Sequence, residues 1–270
     1  MFSITLTIYN KEFLLERVLN SIKNNTIGTY EINAIIDGCT DDSESILDTF
    51  IKTNPQIKIN KFHTPDVCET IANNVGLKNS NEKYCIIIQD DMIINELDWN
   101  NRLLKPILNF SDVFAVTART AHNWSHNPHS LCNNLDDYLP NSWCDLLYAK
   151  NTADKNNLPR NIFAVRDSVN RGPLLIRHDV LKAVNYLDES FAPLEMDDHD
   201  LNYRVYKKFG MVSGCYWIDY ISDLDWGGTR SSATPKAWHI KAHHKNFKLL
   251  WERHRDLITG QKHDQNRILF

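Results

Sequence analysis

The 270-residue sequence has no apolar run approaching the ~20 residues that cross a bilayer, so no membrane-spanning helix is expected. It has no CxxC pair. Its cysteines, Cys39, Cys68, Cys85, Cys132, Cys144 and Cys215, are scattered, which removes the usual pattern of a disulfide framework or a thiolate zinc centre. There is no basic surplus: the formal net charge is −4, which argues against a nucleic-acid partner. Neither GxGxxG nor GxxxxGK[ST] occurs, so dinucleotide-binding and P-loop readings lose their main support. The start, "MFSITLTIYNKEF", lacks a basic segment followed by a cleavable apolar one, so no signal peptide and a reduced, cytoplasmic protein are the expectation.

What is present is a chain 42% hydrophobic and 24% charged, enough for one large α/β domain or two small ones, with a real core. Residues 2–9, 31–37, 56–62 and 84–89 read as strands, the third alternating like an edge strand. Residues 12–24, 41–52 and 68–78 read as helices between them. That alternation demands a parallel sheet with right-handed crossovers. Residues 121–170 are rich in Asn, Asp, Pro and Trp with weak periodicity, and read as a long irregular stretch. A strand leads into a helix over 171–184. A helix over 196–210 stops at Gly210, a strand follows at 211–218, and a basic, aromatic helix closes 236–257.

Two features raise chemistry. "YCIIIQDDMII" sets Asp90 and Asp91 directly behind a strand buried on both faces. They are either turn formers or cation ligands at the carboxyl edge of the sheet, where open α/β sheets bind ligands. "MDDHDL" sets Asp197, Asp198 and Asp200 at a helix start, where acids either cap the helix or act beyond it. The spacing of His122, His126 and His129 in "AHNWSHNPH" is zinc-like, but no cysteine or acidic partner stands in register, which argues against zinc.

Several segments together resemble the family 2 glycosyltransferases. "LTIYNKEFLLERVLNSI" resembles their opening strand and helix, and "AIIDGCTDDS" their "VDDGSTD" segment with Ile36 in place of the first Asp. "IANNVGL" resembles "ARNxG" with Asn73 in place of Arg, and "IIIQDDM" falls where the DxD motif stands, with Gln89 at its first position. "MDDHDL" resembles "EDxDL", and "HHKNFKLLWERH" the C-terminal "RNxxxF" helix.

The resemblance implies one GT-A domain, Rossmann-like, with a mostly parallel central sheet flanked by helices. Residues 1–120 would form the nucleotide-sugar half, 121–235 the acceptor half and 236–270 a C-terminal helical segment. It implies a metal-dependent, inverting transferase moving a sugar from a nucleotide-sugar, a UDP-sugar favoured, to a carbohydrate hydroxyl in polysaccharide biosynthesis. A retaining GT-A transferase, a sugar nucleotidyltransferase and an inactive carbohydrate-binding protein of the same fold are the alternatives.

Residue by residue, it implies nucleotide binding by Thr7, Tyr9, Asp37, Asn73 and Asp90. Asp91 would hold Mn2+ or Mg2+, with Asp225 completing the site and His239 or His243 as alternatives. Asp198 would be the catalytic base, and Asp197, Asp200, Trp124 and Trp143 would bind the acceptor. Crowding among the acids would raise the pKa of the base. The partners implied are the donor and a carbohydrate or glycoconjugate acceptor, with peripheral membrane contact compatible with the sequence.

Overall fold

The computed structural model describes residues 2–124, 143–148, 158–222, 237–260 and 263–269, with the backbone alone for 124 and 143–148. Strands β1 (Phe2–Ile8), β2 (Tyr30–Asp37), β3 (Lys58–Thr64) and β4 (Tyr84–Gln89) alternate with helices α1 (Leu15–Asn25), α2 (Ser43–Thr53) and α3 (Cys68–Lys78). They form a parallel sheet in the order β3-β2-β1-β4, with β3 at the edge. Both faces of β1 and β4 are covered, which is why their sequences run apolar without alternation.

Helix α3 lies tight on this sheet. A Cβ on Gly76 would stand 2.5 Å from Thr5 Cγ2, so only glycine admits the approach. The Gly76 carbonyl accepts from Asn33 Nδ2 at 2.8 Å, and Asn33 also donates to Ser3 Oγ at 3.0 Å, so Asn33 ties α3 to β1 and β2.

The sheet continues beyond these four strands, through Leu174–Arg177 and Val212–Tyr216 in segments legible as strands and through others that were not. After β5 (Met92–Ile94) and α4 (Trp99–Asn109) come β6 (Val113–Thr117), β7 (Thr120–Trp124), β8 (Trp143–Tyr148), β9 (Ile162–Arg166), β10 (Ser168–Val169) and β11 (Leu174–Arg177). Helices α5 (His178–Ala183) and α6 (Asp197–Phe209) precede β12 (Val212–Tyr216), β13 (Tyr220–Ser222), α7 (Ala237–Thr259) and β14 (Gln265–Ile268). The large sheet has nine strands in the order β14-β9-β12-β6-β11-β4-β1-β2-β3. Strand β11 runs antiparallel between β4 and β6 and joins the first four strands to the rest. Gly210, at φ 65°, ends α6 as the sequence implies.

For the described residues of 121–170, the expectation of an irregular stretch is corrected. Ala164 and Val165 of β9 are fully buried in the main sheet, and β7, β8 and β10 form a second, three-stranded sheet. These strands are short and pair with distant segments, so they carry no local period. Among the described residues, no helix is long and apolar enough to cross a membrane.

Candidate functional site

The carboxyl ends of β1, β2 and β4 open onto one edge, and Asp90 and Asp91 lie just past β4. Asp90 does not cap its own turn. Its Oδ2 accepts the Tyr9 backbone N–H at 2.9 Å, and its Oδ1 stands 3.8 Å from the buried Lys11 Nζ. Burial pushes the Asp90 carboxyl up to about 7; Lys11 opposes this and Asp91 adds to it. Asp91 is also raised by burial, against the pull of Arg119 and Lys11. Its Oδ1 is buried and has no hydrogen-bond partner among the described residues. An unmatched buried carboxylate oxygen at a strand end fits a hard cation, which takes oxygen ligands and lowers the cost of both charges.

The other residues expected to bind nucleotide gather at the same edge. Thr7 Oγ1 donates to Asn73 Oδ1 at 3.0 Å, joining β1 to α3. Asp37 has a structural role not expected from the sequence. Its fully buried carboxylate accepts from Thr64 Oγ1 at 2.7 Å, Val67 N at 2.8 Å and Cys68 N at 2.9 Å. It thereby caps α3 from across the sheet and sets the loop floor.

The second acidic group comes from α6. Asp198 Oδ2 accepts the Arg171 backbone N–H at 3.1 Å, and Oδ1 accepts the His199 N–H at 2.9 Å. Arg171 Nε stands 3.7 Å from Asp198 Oδ2, and its Nη2 donates to Asp197 Oδ1. The expected rise in the pKa of the base is corrected. Burial pushes Asp198 up, but His199 and Arg171 outweigh it and hold the carboxyl below the usual range. Cationic and N–H neighbours outnumber the like charges that the sequence brings to mind. Burial lowers His199 itself, whose ring nitrogen Nδ1 is bonded to Ser168.

Arg171 also links this group to the first. Its Nη1 stands 3.5 Å from Glu69 Oε2, and the Glu69 charge is felt at both Asp90 and Asp91. Through this series of neighbours, five carboxylates (Glu69, Asp90, Asp91, Asp197, Asp198) meet three cationic side chains (Lys11, Arg119, Arg171). The surplus is negative, which favours a divalent cation. Lys11, Glu69, Arg119 and Arg171 were not singled out from the sequence. Lys11 and Glu69 could have been, since each lies within a few residues of a strand's carboxyl end, where ligands bind.

Arg119 is anchored by its Nη1, which donates to Gln89 Oε1 at 2.8 Å. Gly172, at φ 87°, makes room for that arrangement: a Cβ there would meet Gln89 Oε1 and Met92 Cε, each at 2.7 Å. Gly172→Ala is expected to lower stability by about 2–4 kcal/mol, from a left-handed backbone and an overpacked contact. Urea melts check this; a change below about 0.5 kcal/mol, the scale of a neutral surface substitution, would refute it.

Asp200, expected to bind the acceptor, is fully buried, paired with Arg204 and accepting from His254 at 2.9 Å, so it ties α6 to α7. His239 and His243, the alternative metal ligands, are both engaged by Glu195, the first at 2.6 Å. Burial pushes Glu195 up, but His243 and His239 outweigh it and hold it low. Asp225 lies outside the described residues. Trp124 and Trp143 face each other in the β7–β8 register, and their side chains lie outside the described ones. Among the described residues, no group of three or more His, Cys, Asp or Glu is placed to hold a metal without further ligands.

Several solved structures share this architecture. TarS of S. aureus in complex with UDP superposes with a TM-score of 0.53 at 14% identity, over 82% of this chain and 58% of that one. GalNAc-T7 with UDP, GalNAc and Mn2+ gives 0.67 at 12% identity, over 96% and 50%. The mannosyltransferase PcManGT from Pyrobaculum calidifontis, with GDP-Man and Mn2+, gives 0.56 at 13%, over 97% and 65%. This chain thus spans roughly half to two thirds of the length of these relatives, and at such identities the likeness shows the fold alone. A search of curated protein sequences gives no significant match. The family model described as "Glycosyl transferase family 2" matches residues 3–170, more than half of the sequence, including β2–β4, α1–α3 and all of β1 but Phe2. On that match, carried on a GT-A fold, the chain belongs to glycosyl transferase family 2.

Proposed function

We propose that this chain transfers a sugar from a nucleotide-sugar to a carbohydrate hydroxyl with inversion, using Asp198 as the base. The observation that carries the reading is the linkage, through Arg171 and Glu69, of an ionised buried carboxylate to the Asp90–Asp91 pair. Residues 1–120 would bind the donor, 121–235 would face the acceptor and 236–270 would support the base.

The acceptor oxygen attacks the anomeric carbon from the face opposite the diphosphate. The new C–O bond forms as the bond to phosphate oxygen breaks, and the hydroxyl proton passes to Asp198. A low-pKa carboxylate serves here because the attacking hydroxyl becomes acidic only as the bond forms. Thr7, Tyr9 and Asn73 line the nucleotide side, and Lys11 and Arg119 lie where they offset negative charge on the leaving group. A divalent cation, Mn2+ or Mg2+, would be held by Asp91 and would supply charge neutralisation of the diphosphate. The unmatched Oδ1 of Asp91 supports this.

Relatives of the same fold were solved with UDP, UDP-GlcNAc or GDP-Man, which supports uridine and guanosine donors as the first to test. The test is a thermal-shift screen of UDP-, GDP- and dTDP-sugars with manganese. One donor is expected to raise the melting point well beyond metal alone, since a ligand that binds only the native state stabilises it. If none does so at millimolar concentration, the donor reading fails.

A further inference from the structure

The residues directly before α6 hold an uncommon backbone. Glu195 and Met196 stand at φ 69° and 66°, a left-handed pair with no glycine, and Asp197 begins α6 immediately after them. The Met196 carbonyl accepts the Asp200 N–H at 2.9 Å, so the angle of this pair sets the first turn of α6 and with it Asp198. Strain of this kind persists only where the surroundings over-determine it.

Helix α7 supplies that restraint through one side chain. His239 Nε2 meets Glu195 Oε1 at 2.6 Å, and His243 Nδ1 meets Oε2. The two imidazoles lie one turn apart on α7, so one helix grips the carboxylate at both oxygens. Because the Glu195 carboxyl is held low, its oxygens only accept and both imidazoles donate. Asn246, further along α7, donates to the carbonyls of Leu194 and Glu195. The grip lies close to the base: the charges of Glu195 and His243 are felt at His199, whose backbone N–H is bonded to Asp198.

We infer that Glu195 is a positioning residue, a latch held by α7 that aims Asp198 at the acceptor hydroxyl. The inference rests on the transferase reading above. It gives His239 and His243 the work of hydrogen-bond donors rather than of metal ligands.

Glu195→Gln leaves one acceptor oxygen for two donors. Its kcat for transfer is expected to fall about 10- to 100-fold, the scale of a misplaced reacting group, while donor affinity and acceptor KM hold. In an Asp198→Asn background the same change should cost little more, since a residue that acts through the base has nothing left to aim. The imidazoles are tested by replacement in kind. His239→Gln combined with His243→Asn keeps an N–H donor near each lost ring nitrogen and should retain kcat. His239→Ala combined with His243→Ala should lose it as Glu195→Gln does, and this comparison stands even if Glu195→Gln fails to fold. Wild-type kcat in a folded Glu195→Gln, or losses that multiply in the Asp198→Asn background, would overturn the latch. So would loss of manganese-dependent nucleotide binding in the amide pair, which would make the imidazoles metal ligands. Failure of the wild type to bind any nucleotide-sugar would instead overturn the transferase reading beneath it.

Discussion

Asp198→Asn is expected to bind donor like the wild type and to lose transfer by at least about 100-fold, the scale of a lost general base. Asn preserves the side chain's size and can still accept the Arg171 N–H, so α6 should keep its place. It cannot take a proton. The pH profile adds a second check. With Asp198 held low, the base form persists down to acid pH and is lost only as pH falls through that depressed value. With metal saturating, the acid limb of kcat/KM should therefore lie below the ordinary carboxylate range and vanish in the variant's residual activity. Near-normal transfer by a folded Asp198→Asn would place the base elsewhere, with Asp197 next to test.

The second large effect is at Asp91. Asp91→Ala should abolish manganese-dependent nucleotide binding and leave the metal-free fold intact, because its Oδ1 contributes no hydrogen bond to the described structure. In the wild type, donor and metal at 100 times Kd would add about 2.7 kcal/mol of apparent stability. That increment should disappear. Unchanged metal-dependent affinity by calorimetry would remove Asp91 as a ligand.

The pH sign follows from Asp90. Its folded pKa of about 7 lies above the ordinary carboxylate value, so between the two the unfolded chain loses a proton that the folded chain keeps. Through this group, metal-free stability falls as pH rises across that window. Manganese binding should strengthen over the same range, as the cation displaces the proton.

The β1–β4 half was legible because its signals are local. Buried apolar runs and helical spacing place β1–β4 and α1–α3 to within a few residues. The strands of 121–170 were not, because β9 is defined by β12 and β14, which lie far along the chain. Among the candidate residues, the acid pairs stood out as motifs, but a motif does not say which way its members point. Asp200 follows Asp198 by two residues, roughly 200° around a helix, so it faces α7 while Asp198 faces Arg171. Arg171, the residue that links the two acid groups, is a single arginine in a loop, and its meaning comes only from what folds beside it.

Helix α7 reaches back to the segment before the base. The Asn246 side chain donates to the carbonyls of Phe191, Leu194 and Glu195, and His254 holds Asp200. The residues that hold the segment before Asp198, and Asp200 behind it, are thus translated after everything they hold. A chain emerging from the ribosome completes β1–β4, and with them the nucleotide side, well before Ala237 exists. On the transferase reading, the segment that leads to Asp198 therefore gains its last supports only after the nucleotide side has been synthesised.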